Sequence, residues 1–257
     1  MKFLQSLSAQ VSLRTQGAIL ALGLLFIILD ALTEPMNPAI DLAWVTVIIC
    51  GLPLLINSVQ SILDHLEIHA NFLIVIAMVA LIAIGDYHTA AYVGLIVHGG
   101  FFLEQLITGD VHYTLDDDML PTMPTQLVAL RQGINNYSSV IVVAVMLLSM
   151  GSYALTQNFM HTITLLVILC PCSLELVLVA LMMGSLVDEN SPTAGLSKDA
   201  KQCHLGLLIV SILFHVAIIG AGVLGTINPV TAAALHGLAR LGLVYNLKVL
   251  NSSLCIA

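Results

Sequence analysis

Eight apolar stretches divide the chain, near residues 17–32, 43–63, 70–85, 89–107, 136–156, 162–187, 204–224 and 229–250. A helix crossing a bilayer needs about 20 mostly apolar residues, and most of these runs reach or approach that length. The breaks between them are short and polar. Gly85-Asp86-Tyr87-His88 joins the third and fourth runs, Asp116-Asp117-Asp118 with Pro121 and Pro124 follows the fourth, and Asp188–Lys201 follows the sixth. Lys2 and Arg14 before the first run imitate a signal peptide, but no small-residue cleavage site follows, so that run reads as a retained helix. Gly51-Leu52-Pro53 interrupts the second run, and a kink is expected there, because proline removes a backbone donor and clashes one turn back. The pattern predicts an all-α membrane protein of about eight transmembrane helices, one transmembrane domain over residues 1–257 with no soluble domain.

Composition strengthens this reading. The chain is 59% hydrophobic and 9% charged, with a mean hydropathy of +1.03, far too little charge to cover a soluble surface. With eight spans, Lys2, Arg14, Arg131, Lys198, Lys201 and Lys248 all fall on the side of the termini. The opposite loops carry Glu34, Asp41 and Asp86 and no Lys or Arg. The positive-inside rule then predicts cytoplasmic termini in a plasma or inner membrane. Seven scattered Lys and Arg exclude a nucleic-acid interface. Of the five Cys, Cys50, Cys203 and Cys255 are isolated, and no secreted disulfide framework is visible.

The chemistry sits in the sixth run, at Cys170-Pro171-Cys172. In a regular helix, residues two apart point about 200° from each other, so two such thiolates could not hold one ion. Pro171 breaks the hydrogen-bond ladder and lets the backbone unwind, which allows both sulfurs to face one cavity. Thiolates there suit Zn, Cd or Cu(I). The alternative is two small apolar cysteines beside a kink. A thiol-redox role is disfavoured by the strain of a disulfide between residues so close in sequence.

Cys170-Pro171-Cys172 resembles the signature of heavy-metal (CPx-type) P-type ATPases, and the resemblance extends along the membrane part of that family. Gly51-Leu52-Pro53 is similar to its kinked second helix, a platform at the membrane surface. Gly100-Phe101-Phe102-Leu103-Glu104 is similar to the end of its fourth helix. The segment from Asn228 to His236 and Asn246-Leu247-Lys248 are similar to its last helix. The departures matter equally. The family's actuator, phosphorylation and nucleotide domains would be inserted where this chain has two polar loops, and the D-K-T-G-T and G-D-G-x-N-D motifs are absent. Phosphoryl transfer needs a positioned nucleophile and a metal-clamped nucleotide, so no enzymatic ATP hydrolysis and no nucleotide cofactor are expected.

By the family's spacing, the Lys of its seventh helix maps to His215 and the Asp of its eighth to His236. The resemblance thus implies a Cys170, Cys172, His215, His236 shell, a tetrahedral zinc-like set. Each His taken alone is equally well explained by an interhelical hydrogen bond. Glu175 and Arg240 lie about one turn beyond their ligands, and a salt bridge between them is expected to close the cytoplasmic side. The rival reading makes Glu175 a fifth ligand, with Arg240 snorkelling. His98 and Glu104 are candidates for an exit path, His161 for the outer mouth, and His65 with His69 for an inner metal-handling cluster.

These readings predict a Zn²⁺- or Cd²⁺-like transporter in the lipid bilayer that works without ATP. A metal sensor or regulatory subunit, or the membrane half of a split pump, is the alternative. A homo-oligomer or a soluble metal-handling partner is compatible with either. Without the family's Lys as counter-ion, His protonation is expected to drive release as pH falls toward about 6.

Overall fold

The computed structural model describes residues 13–33, 42–65, 71–108, 125–170 and 198–255. Among them the chain is entirely helical, with eight helices and no strand. In order these are α1 (Leu13–Thr33), α2 (Ala43–His65), α3 (Asn71–Ala83), α4 (Tyr87–Thr108), α5 (Thr125–Thr156), α6 (Phe159–Ile168), α7 (Lys198–Val223) and α8 (Pro229–Cys255). The helices follow the apolar runs, with two differences in length. α5 begins about three turns before its apolar run, and α6 covers only the first part of the 162–187 run, whose remainder from 171 lies outside the described residues. α2 is helical throughout, with Pro53 inside it.

Local chemistry fixes where helices stop and restart. At the end of α3, Gly85 takes φ +82°, its N–H donates to the Ile82 carbonyl at 3.0 Å, and the Asp86 N–H donates to Leu81 at 3.0 Å. This is a Schellman cap, in which a left-handed glycine satisfies the last carbonyls. Asp86 then caps α4, its Oδ1 accepting from the Thr89 N–H at 3.0 Å. The α7–α8 turn repeats the device. Gly225 takes φ +68°, and the Gly225 and Thr226 N–H groups donate to Gly222 and Ala221 at 3.0 and 3.1 Å. Asn228 caps α8 reciprocally with Thr231, at 2.8 Å from the Thr231 N–H to the Asn228 side chain and 3.1 Å in return, with Pro229 at the first helical position. Between α5 and α6, Gln157 has φ 52° and the Asn158 side chain accepts from the His161 N–H at 3.2 Å.

α4 is the central element. It packs against α1, α2, α3 and, most extensively, α8, while α6 packs against α3, α5, α7 and α8. α1 approaches closely at Gly23: a methyl placed there would lie 2.9 Å from the Leu95 Cδ1 and 3.0 Å from the Cys50 Sγ. The Thr46 hydroxyl donates to the Gly23 carbonyl at 3.1 Å, so a small residue and a side-chain hydrogen bond join the helices, as is common in membrane interiors.

Among the described residues, two helices, Leu13–Leu32 and Tyr87–Ile107, are long and apolar enough to cross a membrane, and five others carry shorter apolar stretches. α8 falls short because His236, Arg240 and Asn246 interrupt its apolar run. Large apolar side chains are exposed along α1 (Leu22, Leu24, Leu25, Ile28), α5 (Val140, Leu147, Leu148, Met150) and α7 (Val210, Leu213, Val216).

Candidate metal centre

α6 ends inside the apolar interior. The Leu169 N–H donates to the Leu165 carbonyl at 2.9 Å. Leu169 is the cap, and Cys170 lies outside the helix and is 3% exposed. Pro171 explains the stop, since the residue before a proline is pushed out of helical geometry. The carbonyl end of α6 therefore reaches the first cysteine, and a helix C-terminus favours a cation. Pro171, Cys172 and Glu175 lie outside the described residues.

His161 provides a common level for α6 and α7. Its Nε2 lies 3.0 and 3.2 Å from the Gly222 and Val223 carbonyls at the end of α7. Carbonyls only accept, so Nε2 carries the proton and Nδ1 accepts from the Ser152 hydroxyl at 3.1 Å. His161 thus joins α5, α6 and α7, and both its nitrogens serve that join. From this level, at about 1.5 Å per residue, Cys170 is about 13 Å along α6 and His215 about 11 Å back along α7. His236 is about 10 Å into α8 on the same rise. Three of the four expected ligands thus fall within one helical turn in depth.

His215 and His236 come together. Their ring centroids are 6.0 Å apart and their planes nearly perpendicular, at 88°. Two imidazoles on one tetrahedral Zn²⁺, with Zn–N of about 2.0–2.1 Å, have centres roughly 5 Å apart, so a shift of about 1 Å would bring them onto one ion. His215 Nδ1 donates to the Ser211 carbonyl at 2.8 Å, which fixes the ring and puts the lone pair of the neutral imidazole on Nε2. A backbone carbonyl orienting the second ring nitrogen is the usual support of a metal-binding histidine. His236 is buried. Among the described residues, no group of three or more His, Cys, Asp or Glu is close enough to hold a metal.

Beyond His236, α8 carries Arg240. The expected partner of Arg240 was Glu175, which is not among the described residues. Here the guanidinium pairs with Glu104, Nη2 to Oε2 at 2.9 Å, and stacks over Phe101 with its carbon 4.7 Å from the ring centroid. Each side chain of the pair is about one-fifth exposed. Sequence offset could not select this partner, because the choice depends on α4 packing against α8. Arg240 also borders a cavity of about 30 Å³ lined by Val167, Gly100, Phe101, His236 and Gly237 among others, enough for about two waters or one ion. Neither of the two exit-path candidates, His98 and Glu104, is part of this lining; Glu104 adjoins it through Arg240. His65 and His69 cannot be placed: the side chain of the first and the whole of the second lie outside what the structure describes.

One charged residue escaped the sequence reading. Asp30, inside the first apolar run, is 4% exposed. Its Oδ1 accepts from the Leu42 N–H at 2.7 Å, and its Oδ2 lies 2.9 Å from the His88 Nε2. It ties α1 to the starts of α2 and α4. An acid within an apolar run is the signal that would have found it. No family model, curated protein or solved structure matches the chain.

Proposed function

We propose that the chain is an eight-span membrane protein that carries a soft divalent ion, Zn²⁺ or Cd²⁺ in type, across the bilayer without hydrolysing ATP. The observation that carries this reading is the approach of His215 and His236 at the depth where α6 breaks off at Cys170. Cys172 supplies the fourth ligand. Two thiolates neutralise one divalent ion, which suits a site of low polarity. The exposed apolar faces of α1, α5 and α7 support immersion in lipid, since soluble monomers rarely expose apolar patches above a few hundred Å². The three tight turns after α3, α5 and α7 suit helical hairpins whose short connections lie on the non-cytoplasmic side.

His215 and His236 coordinate only as neutral rings, so protonation competes with metal and release steepens in acid. Zinc flux into proteoliposomes tests the reading. Wild type should transport, and Cys170→Ala with Cys172→Ala should abolish transport. Equal flux in the variant overturns the site, and tight binding without flux replaces the transporter with a sensor or regulatory subunit.

A further inference from the structure

The middle of α7 meets the rest of the protein along one stripe. Ile218 and Gly222 are buried and Ser211 and His215 are half-buried, while the other positions from 212 to 217 are exposed. Residues 211, 215, 218 and 222 recur every three or four positions, so they share one face of the helix. His215 therefore lies on the inward face of α7, two turns from Gly222.

α6 carries a matching face. His161, Leu165 and Ile168 follow the same spacing, and all three come against Gly222. The His161 Nε2–H donates to the Gly222 carbonyl at 3.0 Å and to the Val223 carbonyl at 3.2 Å. A methyl on Gly222 would lie 2.5 Å from the Ile168 Cδ1 and 3.8 Å from the Leu165 Cδ2. Both of those side chains are 3% exposed, so neither has open space to retreat into. Ile168 stands two residues before Cys170. One residue of α7 thus takes a hydrogen bond from the start of α6 and seats the side chain at its end.

We propose that His161 and Gly222 form a clamp that sets the depth of Cys170 against His215, a positioning role that presupposes the metal centre proposed above. Ligand distances in a metal site hold to within about 0.2 Å, whereas a slip of α6 along α7 by one residue is about 1.5 Å. The clamp opposes that slip twice. A donor held by two successive carbonyls fixes the height of α6, and the missing Cβ at Gly222 lets Ile168 pack without pushing the helices apart. Neither residue touches the ion; both act through the helices that carry its ligands.

The test is Co²⁺ titration of the full-length protein in detergent, read by its ligand-field and sulfur-to-metal absorption bands. Wild type should bind one equivalent with a tetrahedral spectrum. His161→Leu should weaken binding about tenfold or more, as loss of a supporting partner does in other metal sites, and should weaken the tetrahedral bands. His161→Gln, whose side-chain N–H can reach the same carbonyls, should restore most of both. Gly222→Ala should shift the bands with His161 in place. Gly85→Ala, at the α3–α4 turn, should leave affinity and spectrum unchanged. Wild-type affinity and spectrum in His161→Leu overturn the clamp and leave the metal centre standing. An equal loss in Gly85→Ala also overturns it, because general stability then explains the effect. If His161→Leu does not fold, Gly222→Ala decides, and an unchanged spectrum there overturns the clamp. No Co²⁺ bound by the wild type removes the metal centre, and the clamp with it.

Discussion

The ends of α3 and α7 differ from the end of α6. Gly85 and Gly225 are exposed, take positive φ and return two backbone N–H groups each to the last carbonyls. The chain closes these ends with its own groups. α6 stops between Ile168 and Cys170, both 3% exposed, at a proline rather than a glycine. A surface end sealed by backbone needs no ligand. The end of α6 instead brings a cysteine into the apolar interior, where the proposed cation would sit. The difference teaches where to look for function: at the helix end that brings a cysteine into the interior.

Four substitutions test that contrast. The largest effect on stability is expected from Arg240→Gln, which takes the guanidinium away from the half-buried Glu104 carboxylate. Breaking one side of a buried pair costs about 3–5 kcal/mol, here near about 3 because both groups are partly exposed. The double variant Glu104→Gln with Arg240→Gln should recover much of the loss in thermal unfolding. Next, Pro171→Ala should let α6 run on. Stability should stay level or rise, since an interior proline costs about 3 kcal/mol, while zinc affinity measured by competition falls at least tenfold. A fall in stability with unchanged affinity would erase the distinction between the two kinds of end. Gly85→Ala meets nothing within 4 Å, so only its positive φ acts, at about 1–2 kcal/mol, with metal affinity unchanged. Asn228→Ala removes the α8 cap and should cost about 1 kcal/mol in the same unfolding assay.

Much of this was legible in the sequence. The apolar runs announced the helices because long apolar stretches separated by short polar breaks suit packed helices joined by tight turns. His215 and His236 were named together only through the resemblance to a known family, and their rings lie 6.0 Å apart. The limit appears at Arg240. Counting residues placed it level with Glu175, which lies outside the described residues, and did not foresee its pair with Glu104 on α4. Depth along a helix can be counted, whereas which helices touch is decided by packing. Asp30 lay beyond counting for the same reason, since Leu42 and His88 explain it across three helices.

The most direct test is the metal content of the purified protein after zinc loading and desalting, wild type beside Cys170→Ala. One zinc per chain in the wild type, lost in the variant, is the predicted result. Equal zinc in both, or none in either, would contradict a metal centre at the broken end of α6.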